Sequence, residues 1–332
     1  MSINLSRRHF AATTVGLGAA IALGVPSLSS AQPVLPQLRI LCGAPPGSIP
    51  DSVARQFGEQ LKGRYASTVI VENKVGAAGR LGVQALKQST PDGATMLLAQ
   101  GAVATTYPYL YEKLGYDPIA DLQPVSMAGE MTLGLAVGPA VPVSVRTVPE
   151  FLEWCRANPK LVNFGSPGSG TYNHLVGAML FRKADVAWQH VAYGGGPAAL
   201  VDLMSGQIAA LVLPEGLLRQ HKATGRLRVL ATTGPQRSAA LPDVATLAEH
   251  GYLDLVVREW FAFFMPAQVS PAVVDSGSQA IRQAVGRNEL MTAFSELAMT
   301  PVGSTPAALV SRIAAEQRYW EPVIRSANIR ID

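Results

Sequence analysis

Three times along this chain a short segment stops at a glycine-rich turn that opens directly onto a helix-forming stretch. Leu38-Arg39-Ile40-Leu41-Cys42 stops at Gly43-Ala44-Pro45-Pro46-Gly47-Ser48, followed by Pro50-Asp51-Ser52 and by Val53, Phe57 and Leu61 at i, i+4 and i+8. Asn163-Phe164 runs into Gly165-Ser166-Pro167-Gly168-Ser169-Gly170-Thr171 and then a helical pattern over 172–181. Tyr193-Gly194-Gly195-Gly196-Pro197 opens the segment carrying Leu200 and Leu203. A strand that turns sharply into an amphipathic helix must bury the helix's apolar stripe on a sheet, which yields parallel strands flanked by helices.

The rest of the chain follows the same alternation. Strands are expected at 68–72, 95–99, 124–137, 208–213, 228–232 and 255–265, and helices at 81–87, 148–158, 197–205, 241–250, 271–286 and 306–326. At 332 residues the chain exceeds one comfortable hydrophobic core, so two α/β units are expected. Charged residues make up 15% of the chain and hydrophobic ones 48%, which excludes a disordered polypeptide. A net charge of +4 without a Lys/Arg run longer than two gives no footprint for nucleic acid. Two cysteines, Cys42 and Cys155, exclude a disulfide scaffold and a cysteine zinc site, and both read as buried thiols. The five histidines show no metal-ligand spacing, so neither a metal nor a cofactor is expected.

Ser6-Arg7-Arg8-His9-Phe10, a moderately apolar stretch over 10–25 and small residues at 29–31 form an export signal over residues 1–31, with cleavage after Ala31. The Arg7-Arg8 pair fits the twin-arginine type. The apolar stretch is shorter than the roughly 20 residues needed to span a bilayer. Removing residues 1–31 takes away two arginines and no acid, leaving a net charge of +2. A periplasmic monomer is the expected product.

In open α/β sheets ligands sit beyond the carboxyl ends of strands, where free N–H groups at helix starts favour an anion. The three turns are therefore candidate ligand loops, with ordinary capping as the alternative. Serine hydrolysis is the other reading, through Ser166 or Ser169 with His174. Neither serine fits G-x-S-x-G, and no neighbouring acid suggests an orienting partner. No dinucleotide or Walker glycine motif occurs.

In their order these segments resemble the periplasmic Bug receptors, the solute-binding component of tripartite tricarboxylate transporters. The resemblance runs through Ala44-Pro45-Pro46-Gly47 with Asp51-Ser52-Val53-Ala54-Arg55, Val69-Ile70-Val71-Glu72-Asn73, Gly76-Ala77-Ala78-Gly79 and Pro91-Asp92-Gly93. It continues through Gly165-Ser166-Pro167-Gly168, His174-Leu175, 191–198, Arg237-Ser238 and Leu241-Pro242-Asp243-Val244. The resemblance implies a two-lobed periplasmic binding protein fold of type II, each lobe a mostly parallel sheet flanked by helices. Lobe 1 would comprise 32–136 with 256–332, and lobe 2 would comprise 137–255. It implies no catalysis, a small organic acid in the interlobe cleft, and transient contact with membrane permease subunits.

The site carried over is Pro46, Gly47, Ser48, Asp51, Ser166, Gly168, Ser169, Gly170, Thr171, His174, Tyr193, Gly194, Gly195 and Gly196. Of these, Ser166, Ser169, Gly170 and Thr171 are expected around one ligand carboxylate together with the 194–196 amides, while Asp51 fixes the first loop. The chain departs from the family at Ser48 (usually Gly), Gly194 (usually Lys) and Ala209 (usually Asp). These positions bear on which acid binds and leave the core pattern intact.

Overall fold

The computed structural model describes residues 34–327 and 329–331, so the expected export signal lies outside the described residues. The chain order is β1 (Leu35–Cys42), α1 (Ile49–Leu61), β2 (Ala66–Asn73), α2 (Arg80–Lys87), β3 (Thr95–Gln100), α3 (Ala102–Thr105), α4 (Tyr107–Leu110) and β4 (Leu122–Val137). Next come α5 (Val148–Ala157), β5 (Asn163–Ser166), α6 (Tyr172–Lys183), β6 (Gln189–Ala192), α7 (Gly196–Ser205), β7 (Ala210–Pro214), α8 (Glu215–Lys222) and β8 (Arg228–Thr232). Last come β9 (Arg258–Pro266), α9 (Pro271–Val285), α10 (Asn288–Glu296), β10 (Met299–Pro301) and α11 (Pro306–Ala327).

The sheet runs β2-β1-β3-β9-β4-β7-β5-β6, with β10 and β8 also on β4. Parallel pairing holds within β2-β1-β3 and within β7-β5-β6, as the strand–turn–helix junctions require. The long strands β9 and β4 join these two parallel groups through antiparallel pairing. Strand β4 pairs with β9 as far as Thr132 and with β7 and β8 from Leu133 or Gly134 onward. At that changeover Leu133 N–H donates to Thr233 Oγ1 at 3.0 Å, and Thr233 Oγ1 donates to the Val257 carbonyl at 2.6 Å. One buried threonine thus ties together both chain crossings.

Apolar side chains fill both faces of the first group. Phe57 of α1 packs edge-on to Phe263 and Phe294 on one face. Leu97, Trp260 and Phe264 belong to the core on the other face, which continues to Phe164 and Phe181 in the second group. Cys42 and Cys155 are free and buried, and burial pushes their thiols up to about 11 and about 12. Among the described residues, no helix is long and apolar enough to cross a membrane.

The structure corrects the expected helix at 241–250. That segment is a series of turns, with Thr246 bridged to Thr232 on β8. Thr246 and Glu249 bond each other's backbone as a capping box would, yet Gly251 follows at φ +89° before a helix can propagate. The strand expected from 255 begins instead at Arg258, after a single 3₁₀ turn over Leu253–Leu255.

Candidate functional site

The ends of β1, β3, β5, β6 and β7, together with the turn after β2, converge on one cavity of about 470 Å³. Three helices begin at its wall, and each loop is held by a different local device.

The first loop is organised by Asp51 in the first turn of α1. Its buried carboxylate accepts the Gly47 N–H at 2.9 Å, Asn73 Nδ2 at 2.9 Å, and both Nε and Nη2 of Arg55 at 3.0 and 2.9 Å. Burial pushes this carboxyl upward, but the bonds from Arg55, Asn73 and Gly47 outweigh it and hold it below the usual range. Gly47 adopts φ +77°, the left-handed region that glycine enters without strain. Ser48 donates its hydroxyl to the Pro45 carbonyl at 2.6 Å and leaves the start of α1 without a side-chain cap.

The second loop is closed on itself. Thr171 caps α6, accepting the His174 N–H and donating to the Gly168 carbonyl at 2.8 Å. Ser166 is fully buried, with its hydroxyl on the Gly168 carbonyl at 3.0 Å and on His190 Nε2 at 2.8 Å. His174 Nδ1 accepts the Gly170 N–H at 3.1 Å, and its ring stacks on His190 with centroids 3.8 Å apart. Burial lowers both imidazoles, His174 to about 3 and His190 to about 4, so both are neutral at pH 7.

The third loop is tied to the second by the Tyr193 N–H on the Ser166 carbonyl at 3.0 Å. The Tyr193 hydroxyl donates to Asp202 of α7 at 2.8 Å. A Cβ at Gly195 would stand 2.8 Å from Pro45 Cγ, so glycine is what lets the third loop meet the first. On the opposite side Gly168 closes on Ala78 in the same manner.

Of the expected residues, Gly47, Ser48, Gly168, Ser169, Thr171, Tyr193, Gly194, Gly195 and Gly196 line the cavity. Pro46 is exposed and outside the lining, and Asp51, Ser166, Gly170 and His174 stand behind that wall. The last four are occupied in holding the loops rather than facing the cavity. The hydroxyls of Ser166 and Thr171 are bonded to the Gly168 carbonyl within the loop, and among the described residues the Ser169 hydroxyl has no such bond. The Ser/His hydrolase arrangement is not assembled either. Ser166 bonds His190 rather than His174, and no acid hydrogen-bonds either imidazole among the described residues.

Sequence reading missed part of the wall. The turn Gly76-Ala77-Ala78-Gly79 runs through four successive positive φ angles and presents its backbone to the cavity beside Arg80. Gln100, Met131, Asn173, Glu259, Phe261 and Ile331 complete the gap. A lone acid in the apolar strand Arg258-Glu259-Trp260-Phe261-Ala262-Phe263-Phe264 was a legible signal for Glu259. Asn173 carried none.

Residues 53–329 match the model of the tripartite tricarboxylate transporter family receptor. The chain belongs to that family. It is 29% identical over 310 residues to Protein BugT of Bordetella pertussis, covering 93% of this chain and 94% of that one. The periplasmic binding protein BugD superposes with a TM-score of 0.82 at 24% identity, covering 89% of this chain and 98% of that one. Rpa4515 of R. palustris, solved with adipate, gives 0.83 at 23% identity over the same shares. These likenesses establish the two-lobed periplasmic binding protein fold. Among the described residues, no three His, Cys, Asp or Glu side chains are grouped to hold a metal ion.

Proposed function

We propose that this chain is a periplasmic solute-binding receptor. It captures a small organic acid between its lobes and delivers it to the membrane subunits of a tripartite transporter. The observation that carries this reading is the convergence of three loops, each opening a helix, on one cavity. Two of those helices, α1 and α7, start without a side-chain cap, so their first N–H groups are available to an anion. The adipate-bound relative is in accord with an acid ligand.

The lobes would be 32–136 with 256–332, and 137–255, hinged where β4 changes partners and Thr233 ties the crossings. Closure is then a rigid-body rotation about those crossings. The mature protein acts as a monomer without a cofactor.

Thermal unfolding of dialysed protein against mono-, di- and tricarboxylates tests the reading. An acid at 100 times its dissociation constant adds about 2.7 kcal/mol and leaves the acid chemically unchanged. A panel that produces no shift, or an acid consumed during incubation, overturns it.

A further inference from the structure

Glu259 is the one acid among the cavity-lining residues, and it is 96% buried from its 4% exposure. Among the described residues its carboxyl has no hydrogen-bond partner and no ion pair. Strand alternation places it with Phe261 on the cavity face of β9, and register sets Met131 of β4 opposite. On the neighbouring strand β3, Leu98 and Gln100 supply no charge. The Tyr107 phenol of α4 lies close enough to feel the carboxylate and is itself buried and neutral. The one cation of the wall, Arg80, is engaged elsewhere: it donates to the Ala77 and Lys113 carbonyls and lies 3.9 Å over the Tyr111 ring.

A second, independent feature lies in the same cavity. Asn173, in the first turn of α6, is 1% exposed and leaves both Nδ2 and Oδ1 unpartnered. Buried polar groups without partners cost several kcal/mol and are rarely left so, which marks them as groups completed by a ligand.

We infer that Glu259 makes this receptor selective for acids that also carry an amino group: the ligand carboxylate meets the loops and the Asn173 amide, and the ligand ammonium meets Glu259. This rests on the receptor reading above. Once Glu259 is ionised, a plain di- or tricarboxylate would bring a second negative charge to an acid that has no cation beside it. A ligand hydroxyl would supply a hydrogen bond but leave the charge uncompensated. An ammonium group supplies both. Burial holds the Glu259 carboxyl up at about 8 in the empty site, so pairing with an ammonium requires it to release its proton.

The test uses the mature chain and calorimetric titration with matched probes of three to six carbons. These are the straight-chain monocarboxylates, the same acids with an α- or ω-amino group, and the corresponding dicarboxylates. In the parent the best amino acid should bind roughly tenfold or more tightly than its unsubstituted counterpart and than the dicarboxylate. For the ω-amino acids that margin should widen from pH 6 to pH 9, because Glu259 ionises while an ammonium with a lysine-like pKa of about 10.4 stays charged. Glu259→Gln should lose the margin and its pH dependence while retaining the unsubstituted acid. Asn173→Ala should weaken all three classes together. A dicarboxylate preferred by the parent, with affinity falling as pH rises, would mean a proton shared between two acids and would overturn the proposal. So would a preference for the amino acid that survives in Glu259→Gln. If neither protein binds any acid, the receptor reading itself fails.

Discussion

Asp51 and Glu259 are both buried carboxyls near one cavity, and their surroundings drive them in opposite directions. Asp51 holds four donors and remains ionised, so its work is structural. Asp51→Asn should disorganise the Gly47 turn, lowering affinity for a confirmed ligand roughly tenfold or more while stability falls by only about 1 kcal/mol. Affinity within twofold of the parent would reduce Asp51 to a helix-dipole residue. Glu259 has no donor, and burial pushes it from 4.5 to about 8. The folded chain keeps a proton that the unfolded chain releases, so stability from this group is present below pH 4.5 and lost as pH rises toward 8. Glu259→Gln should therefore exceed the parent by about 2–4 kcal/mol at pH 8 and by less than about 1 kcal/mol at pH 5, measured by urea unfolding. The stacked histidines act with the opposite sign. Their folded values lie below 6.5, so their contribution is present above pH 6.5 and lost as pH falls toward 4 and 3. In the parent the two trends oppose each other between pH 5 and 7. In Glu259→Gln the acid loss should stand alone.

At the scale of elements, close backbone approach decides several positions. Gly216 at the start of α8 lies so near the turn after α10 that a Cβ would stand 1.9 Å from the Leu297 carbonyl oxygen. Gly216→Ala should destabilise the protein by about 1–3 kcal/mol or more, read as a lowered unfolding midpoint with an unchanged m-value. Nothing in Pro214-Glu215-Gly216-Leu217-Leu218 announces that packing, and α8 itself went unread because Pro and Gly flank so short an apolar stretch. Strand β6 was hidden for another reason: it is a polar edge strand, Gln189-His190-Val191-Ala192, with no alternation to detect. The junctions after β1, β5 and β6 were legible because turn chemistry there is local. The division between cavity wall and supporting layer was not legible, since whether Ser166 or Ser169 faces the gap depends on the placement of His190, 24 residues away.

For the whole molecule, the decisive region is the pair of crossings near Leu133 and Val257. Thr233→Val removes an acceptor for one crossing and a donor to the other, in a buried place where water cannot replace them. A loss of about 1–3 kcal/mol should result, and the angular distribution of the unliganded lobes should broaden in small-angle scattering. Export of the molecule should depend on Arg7 and Arg8. Replacing both with lysine should abolish periplasmic accumulation, judged by fractionation and blotting. The buried cysteines have a practical consequence. Both thiols are held far above neutral pH, so thiolate-directed dyes will pass them over. Ile119, 79% exposed just ahead of β4, and Val201, 60% exposed on α7, can then each be replaced by cysteine for a fluorophore pair while Cys42 and Cys155 stay in place. Energy transfer between the two dyes would turn the receptor into an optical gauge of its own occupancy.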